Sequence, residues 1–145
     1  MVDVKEKGMT ENTGAKQDDE RILVIEDSHT QALRLQALLE REGLDVVLAF
    51  DGKAGVEMAG QLRPAVIILD IQMPEMDGFQ VCKQLKEADD TAGIPIIMLT
   101  CRDGHEAVLE GLQVGAVDYI PKDAFSDAVL LETLRQMGLI AAAET

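Results

Sequence analysis

From Arg21 onward, short apolar runs alternate with longer stretches whose apolar residues recur every three or four positions. "RILVIE" (21–26) is a run long enough for a buried strand. It is followed by "SHTQALRLQALLERE" (28–42), which places Ala32, Leu35, Leu38 and Leu39 on one helical face. Ser28 and Gln31 have the spacing of a capping box at its start, and Gly43 ends it. "DVVLAF" (45–50) predicts a second strand. "DGKAGVEMAGQL" (51–62) predicts a weaker helix, because each glycine costs about 1 kcal/mol relative to alanine.

The same alternation continues to the end of the chain. "AVIILD" (65–70) is a fully apolar third strand. "FQVCKQLKEA" (79–88) is a third helix, with Asp77 as N-cap and Gln80 three residues on. "IPIIMLT" (94–100) is the fourth strand, and "HEAVLEGLQVG" (105–115) is a fourth helix capped by Asp103, with Glu106 three residues on. "AVDYIP" (116–121) is a short fifth strand. "SDAVLLETLRQMG" (126–138) is a fifth helix with Val129, Leu130, Leu134 and Met137 as its apolar stripe. Continuous apolar strands separated by amphipathic helices call for a parallel sheet covered on both faces, a doubly wound α/β sandwich.

Residues 1–20 are polar, carry no sustained periodicity and are expected to form a flexible tail. Residues 21–140 form the expected domain, and 141–145 a C-terminal tail or the start of a linker. The 145 residues suit one domain with one core, 47% of them are apolar, and at 3% aromatic content that core must be aliphatic. The formal charge of −14, from 27 acidic and 13 basic residues, argues against direct binding to nucleic acid or to an anionic membrane. Cys82 and Cys101 have no CxxC spacing, so neither zinc nor a disulfide framework is suggested, and a reduced setting fits. No apolar run approaches transmembrane length and the N-terminus lacks the pattern of a signal peptide. A soluble, cytoplasmic chain is expected.

The strand ends carry the candidate chemistry. Ligand sites in such sheets form outside the carboxyl ends of the strands. There the chain places Glu26 and Asp27 after strand one, Asp70 at the end of strand three, Thr100 at the end of strand four and Lys122 after strand five. Three carboxylates at one edge repel one another, and two cations could relieve this: a bound metal and Lys122. Oxygen ligands of this kind suit Mg²⁺.

With "VIED", "ILDIQMPEMDG", "IPIIMLT" and "VDYIPK" in this order, residues 21 to about 140 resemble the receiver domains of bacterial response regulators, of the chemotaxis-receiver type. The resemblance implies a flavodoxin-like (βα)5 sandwich with strand order 2-1-3-4-5. It implies that Asp70 is a phosphoryl acceptor served by a sensor histidine kinase or a histidine phosphotransfer protein. It further implies that Glu26, Asp27, Asp70 and the backbone carbonyl of Gln72 ligate Mg²⁺, that Thr100 donates to a phosphate oxygen, and that Lys122 pairs first with Asp70 and then with the phosphate. Tyr119 either packs on the sheet edge or is the aromatic whose rotation reports phosphorylation. Helix four, strand five and helix five, roughly residues 103 to 137, would be the output surface toward an effector and a possible homodimer contact. By the same resemblance, Gln72 and Arg102 would occupy the positions that tune phosphoryl lifetime in the family.

Other readings compete with this one. A degenerate receiver would act as an interaction module without phosphorylation. A flavin-binding carrier would need a phosphate cradle where Glu26 and Asp27 stand, and an aspartate-nucleophile phosphatase would need an acid where Gln72 stands. His29 and His105 read as solvated, Cys82 and Cys101 as small buried side chains, Met73 and Met76 as residues that shape the loop after Asp70, and Glu75 as solvated. The family usually has proline directly after the lysine, often with a cis bond. Here Asp123 follows, so the Lys122–Asp123 bond is predicted trans, and Asp123 could draw Lys122 away from Asp70. Pro121 biases Ile120 toward extended geometry.

Overall fold

The computed structural model describes residues 21–70, 73, 76–100, 113–123 and 125–140. Its elements run β1 (Ile22–Ile25), α1 (His29–Glu40), β2 (Val46–Ala49), α2 (Gly52–Leu62), β3 (Val66–Asp70), α3 (Gly78–Glu87), β4 (Ile96–Thr100), β5 (Asp118–Pro121) and a C-terminal helix (Ser126–Gln136). The tail 1–20, residues 141–145 and residues 105–112 of the predicted helix 105–115, with its cap Asp103, lie outside the described residues. So do Gln72, Glu75, Cys101, Arg102 and His105.

The five strands form one parallel sheet in the order β2-β1-β3-β4-β5, the predicted 2-1-3-4-5 arrangement. Alternation along each strand divides the core into two layers. Leu23, Ile25, Ile67, Leu69, Ile96 and Met98 face one side with residues of α3 such as Phe79, Cys82 and Leu85. Ile22, Val24, Val66, Ile68, Ile97 and Leu99 face the other, with Leu35, Leu38 and Leu39 of α1 and Leu130 and Leu134 of the C-terminal helix.

The helix starts follow from local chemistry, with one departure. Asp77 and Gln80 make a complete capping box: each side chain accepts the other's backbone N–H at 3.0 Å. At α1 only half of the expected box forms. Ser28 Oγ accepts the Gln31 N–H at 3.3 Å, but Gln31 Oε1 instead accepts from Arg34 Nε. The Ser28 N–H donates to Glu26 Oε2 at 3.2 Å. At the other end of α1, Gly43 at φ +85 donates its N–H to the Glu40 carbonyl and stops the helix as expected.

One expectation gains a reason and another needs correction. The glycines of α2 weaken it in isolation but let it pack closely: a Cβ on Gly55 would overlap Ile25 of β1, and one on Gly52 would lie 2.7 Å from Val81 Cγ2 of α3. In the C-terminal helix the stripe is Ser126, Leu130 and Leu134, with Met137 packed against them. Val129 is exposed, because it sits about a quarter-turn from that line. Cys82 is buried as expected; its Sγ donates to the Val114 carbonyl at 3.2 Å, and burial pushes the thiol up to about 11. Met73 and Met76 pack against the same layer, Met73 being buried.

Candidate functional site

Parallel register is what assembles the site. Ile25 pairs with Leu69, so Glu26 and Asp70, one residue further on, come side by side. Parity then sets their face. Ile22 and Val24, Val66 and Ile68, and Ile120 all point toward the layer of α1 and the C-terminal helix. Glu26, Asp70 and Lys122 continue those three alternations, and their side chains meet at the carboxyl edge of the sheet.

Glu26, Asp27 and Asp70 each offer a carboxylate oxygen, and these oxygens lie within 4.8 Å of one another. Glu26 is 2% exposed and Asp70 6%. Lys122 Nζ lies 3.2 Å from Glu26 Oε1 and 3.5 Å from Asp70 Oδ2, so the lysine bridges both acids and sits closer to Glu26 than to the expected partner. Burial first, and then the hydrogen bond and charge of Asp70, push the Glu26 carboxyl from 4.5 up to about 7; the Ser28 N–H and Lys122 pull it partway back. One lysine does not neutralise three acids. The donors are all hard oxygens lying within 4.8 Å of one another, a set that fits a small divalent cation such as Mg²⁺. The cluster is therefore a potential metal-chelating centre.

The remaining predicted residues fall around this centre. Thr100 ends β4 opposite Pro121; its side chain, like all of Gln72, lies outside the described residues. Tyr119 is buried at 8% exposure in the layer shared with α3. His29 is exposed at the start of α1, its ring 4.1 Å from that of Phe50. No described peptide bond is cis, so Lys122–Asp123 is trans as predicted. Asp123 does not divert Lys122: its Oδ1 accepts the Phe125 N–H at 2.7 Å.

Two contributors escaped the sequence reading. The Ser28 N–H orients Glu26, and its only signal was its N-cap position. Asp123 organises the turn before the C-terminal helix, signalled only by an acid two residues ahead of Phe125, that helix's N-cap.

The comparisons with known proteins agree with this arrangement. The chain matches the response regulator receiver domain model over residues 22–135. Response regulator PleD of Caulobacter vibrioides is 38% identical over 117 residues, which span 81% of this chain but only about a quarter (26%) of PleD. Protein PilH of Pseudomonas aeruginosa is 39% identical over 114 residues, 79% of this chain and 93% of PilH. Among solved structures, the Vibrio cholerae chemotaxis protein CheY4 superposes with a TM-score of 0.75 at 32% identity, covering 81% of this chain and 98% of CheY4. The receiver domain of a signal transduction histidine kinase from Syntrophus aciditrophicus gives 0.74 at 35% identity, covering 87% and 96%. Sequence, topology and the cluster of strand-end acids point the same way, and the chain belongs to the response regulator receiver domains, the flavodoxin-like regulatory domains of two-component systems.

Proposed function

We propose that this receiver is a working phosphoryl-accepting switch, with Asp70 as the acceptor. The observation that carries the reading is the buried Asp70 carboxylate, clustered with those of Glu26 and Asp27 and 3.5 Å from the Lys122 ammonium. An Asp70 carboxylate oxygen attacks the phosphorus of a phosphohistidine on a sensor kinase or phosphotransfer protein. The P–N bond breaks, the imidazole leaves with the bonding electron pair, and an acyl phosphate forms on Asp70.

Glu26, Asp27 and Asp70, with the backbone carbonyl of Gln72, would hold Mg²⁺, which supplies positive charge to the transferring group. Lys122 offsets charge on the same oxygens, and Thr100 donates its hydroxyl to the phosphate. Tyr119, buried here, is the candidate reporter of the new state. The output passes to a downstream effector through the surface around residues 103 to 137, which is also the candidate homodimer contact. No described helix is long and apolar enough to cross a membrane; together with the family, this supports a cytoplasmic setting.

The test is incubation with a small acyl phosphate and Mg²⁺, read by mass spectrometry. The expected result is one phosphoryl group per chain, dependent on Mg²⁺ and absent from Asp70→Ala. An unmodified wild type, or undiminished labelling of the variant, would overturn the reading.

A further inference from the structure

The residue after Lys122 is where this chain departs from the family pattern, and three donors converge on it. The Phe125 N–H reaches Asp123 Oδ1 at 2.7 Å. The Ser126 N–H and the Ser126 Oγ–H reach the Asp123 carbonyl at 3.3 and 3.0 Å. The N–H groups at a helix start have no acceptor within the helix itself, and Phe125, at the N-cap, offers no side-chain acceptor. Asp123 thus closes an Asx turn between the sheet edge and the helix.

Lys122 is caught between two fixed points. On one side Pro121 is held in register with Thr100; on the other stands the Asp123 turn. Its ammonium must span both Glu26 and Asp70 from the end of a long stem with many rotamers. Such a stem reaches two acids reproducibly only if its backbone origin is held still.

We propose that Asp123 is a positioning residue for Lys122, its hydrogen bonds doing with a trans backbone what a rigid proline would otherwise do at this point. The inference rests on Lys122 serving the phosphoryl-accepting site. The Asp123 carboxylate is committed to the Phe125 N–H, so it steadies the lysine rather than competing for it.

The test uses Asp123→Ala, Asp123→Ser and Asp123→Asn, each also combined with Lys122→Ala. Three quantities are read: acyl-phosphate labelling rate, Mg²⁺ affinity by calorimetry, and urea midpoint. Asp123→Ala is expected to slow labelling about five- to tenfold, the size of one ordinary hydrogen bond lost. It should also tighten Mg²⁺ binding severalfold, because the ammonium leaves the acids to the metal. A merely structural loss would not tighten it. Asn keeps the side-chain acceptor and should restore both values to within about twofold. Ser should fall between, which keeps the series readable if the Ala variant does not fold.

In the Lys122→Ala background, Asp123→Ala should have no further effect on either value. If Lys122→Ala itself changes nothing, the role given to Lys122 falls, and with it the residue Asp123 would position. If Lys122→Ala is effective but Asp123→Ala is silent, or adds fully to it, only the present inference is overturned.

Discussion

The two sides of the site are held by different kinds of structure. Glu26 and Asp70 extend from β1 and β3, central strands buried along their whole length. Lys122 leaves the sheet from β5, an edge strand of four residues whose first and last are only half-buried. On the central side, strand register sets the carboxylates side by side, and the core holds the acids together although burial and the neighbouring Asp70 push Glu26 up to about 7. On the edge side, fewer contacts fix the chain, and placement depends on a local turn around Asp123. Charge is built into the rigid centre, whereas the compensating cation is placed by a part of the fold that a single substitution can retune.

The strongest challenge to this contrast is a pair of truncations. Ile68→Ala, in β3 at 1% exposure, is expected to lose about 3 kcal/mol in urea denaturation. Val117→Ala, just before β5 at 54% exposure, should lose less than about 0.5 kcal/mol. Equal losses would remove the distinction between centre and edge.

Gly55→Ala sharpens it further. The added methyl meets Ile25 on β1, so the variant should be destabilised by about 1–2 kcal/mol despite alanine's better helix propensity. A stabilised variant would show that β1 yields where the packing says it should not.

A third measurement reads the charge stored in the centre. Glu26 holds its proton more tightly folded, at about 7, than unfolded, near 4.5. Its contribution to stability is therefore fully present below about pH 4.5, and is lost as pH rises through about 7, with a slope of at most about 1.4 kcal/mol per pH unit. Subtracting the Glu26→Gln stability profile from that of the metal-free wild type should reveal this fall. Added Mg²⁺ should stabilise the wild type more at pH 8 than at pH 6, because the proton competes with the ion. A flat difference would mean that Glu26 is ionised at no cost.

The smallest effect belongs to the outer surface. Arg34 and Asp127 join α1 to the C-terminal helix at 2.8 Å, but their side chains are 46% and 43% exposed. Arg34→Ala should cost less than about 0.5 kcal/mol, and that cost should vanish in high salt.

What the sequence determined by itself was everything set by period and by near neighbours. Uninterrupted runs such as "AVIILD" announced buried strands, and the stripe Ala32, Leu35, Leu38 and Leu39 announced the inner face of α1. Asp77 with Gln80 announced a cap that forms in full. The acids and the lysine were legible as strand-end residues, because a parallel sheet gathers its strand ends at one edge.

The tertiary structure decided what depends on residues far apart in the chain. Only the packed fold shows that Gly55 admits Ile25, that Val129 turns to solvent, and that the Ser28 N–H is drawn from its own helix cap to Glu26. It also shows that Lys122 divides itself between two acids, with Glu26 the closer. Local pattern sets which element a segment forms, since that depends on backbone propensity and on which face is apolar. Burial, ion-pair partners and the proton affinity of Glu26 are sums over neighbours brought in by three strands, and they exist only once the sheet is assembled.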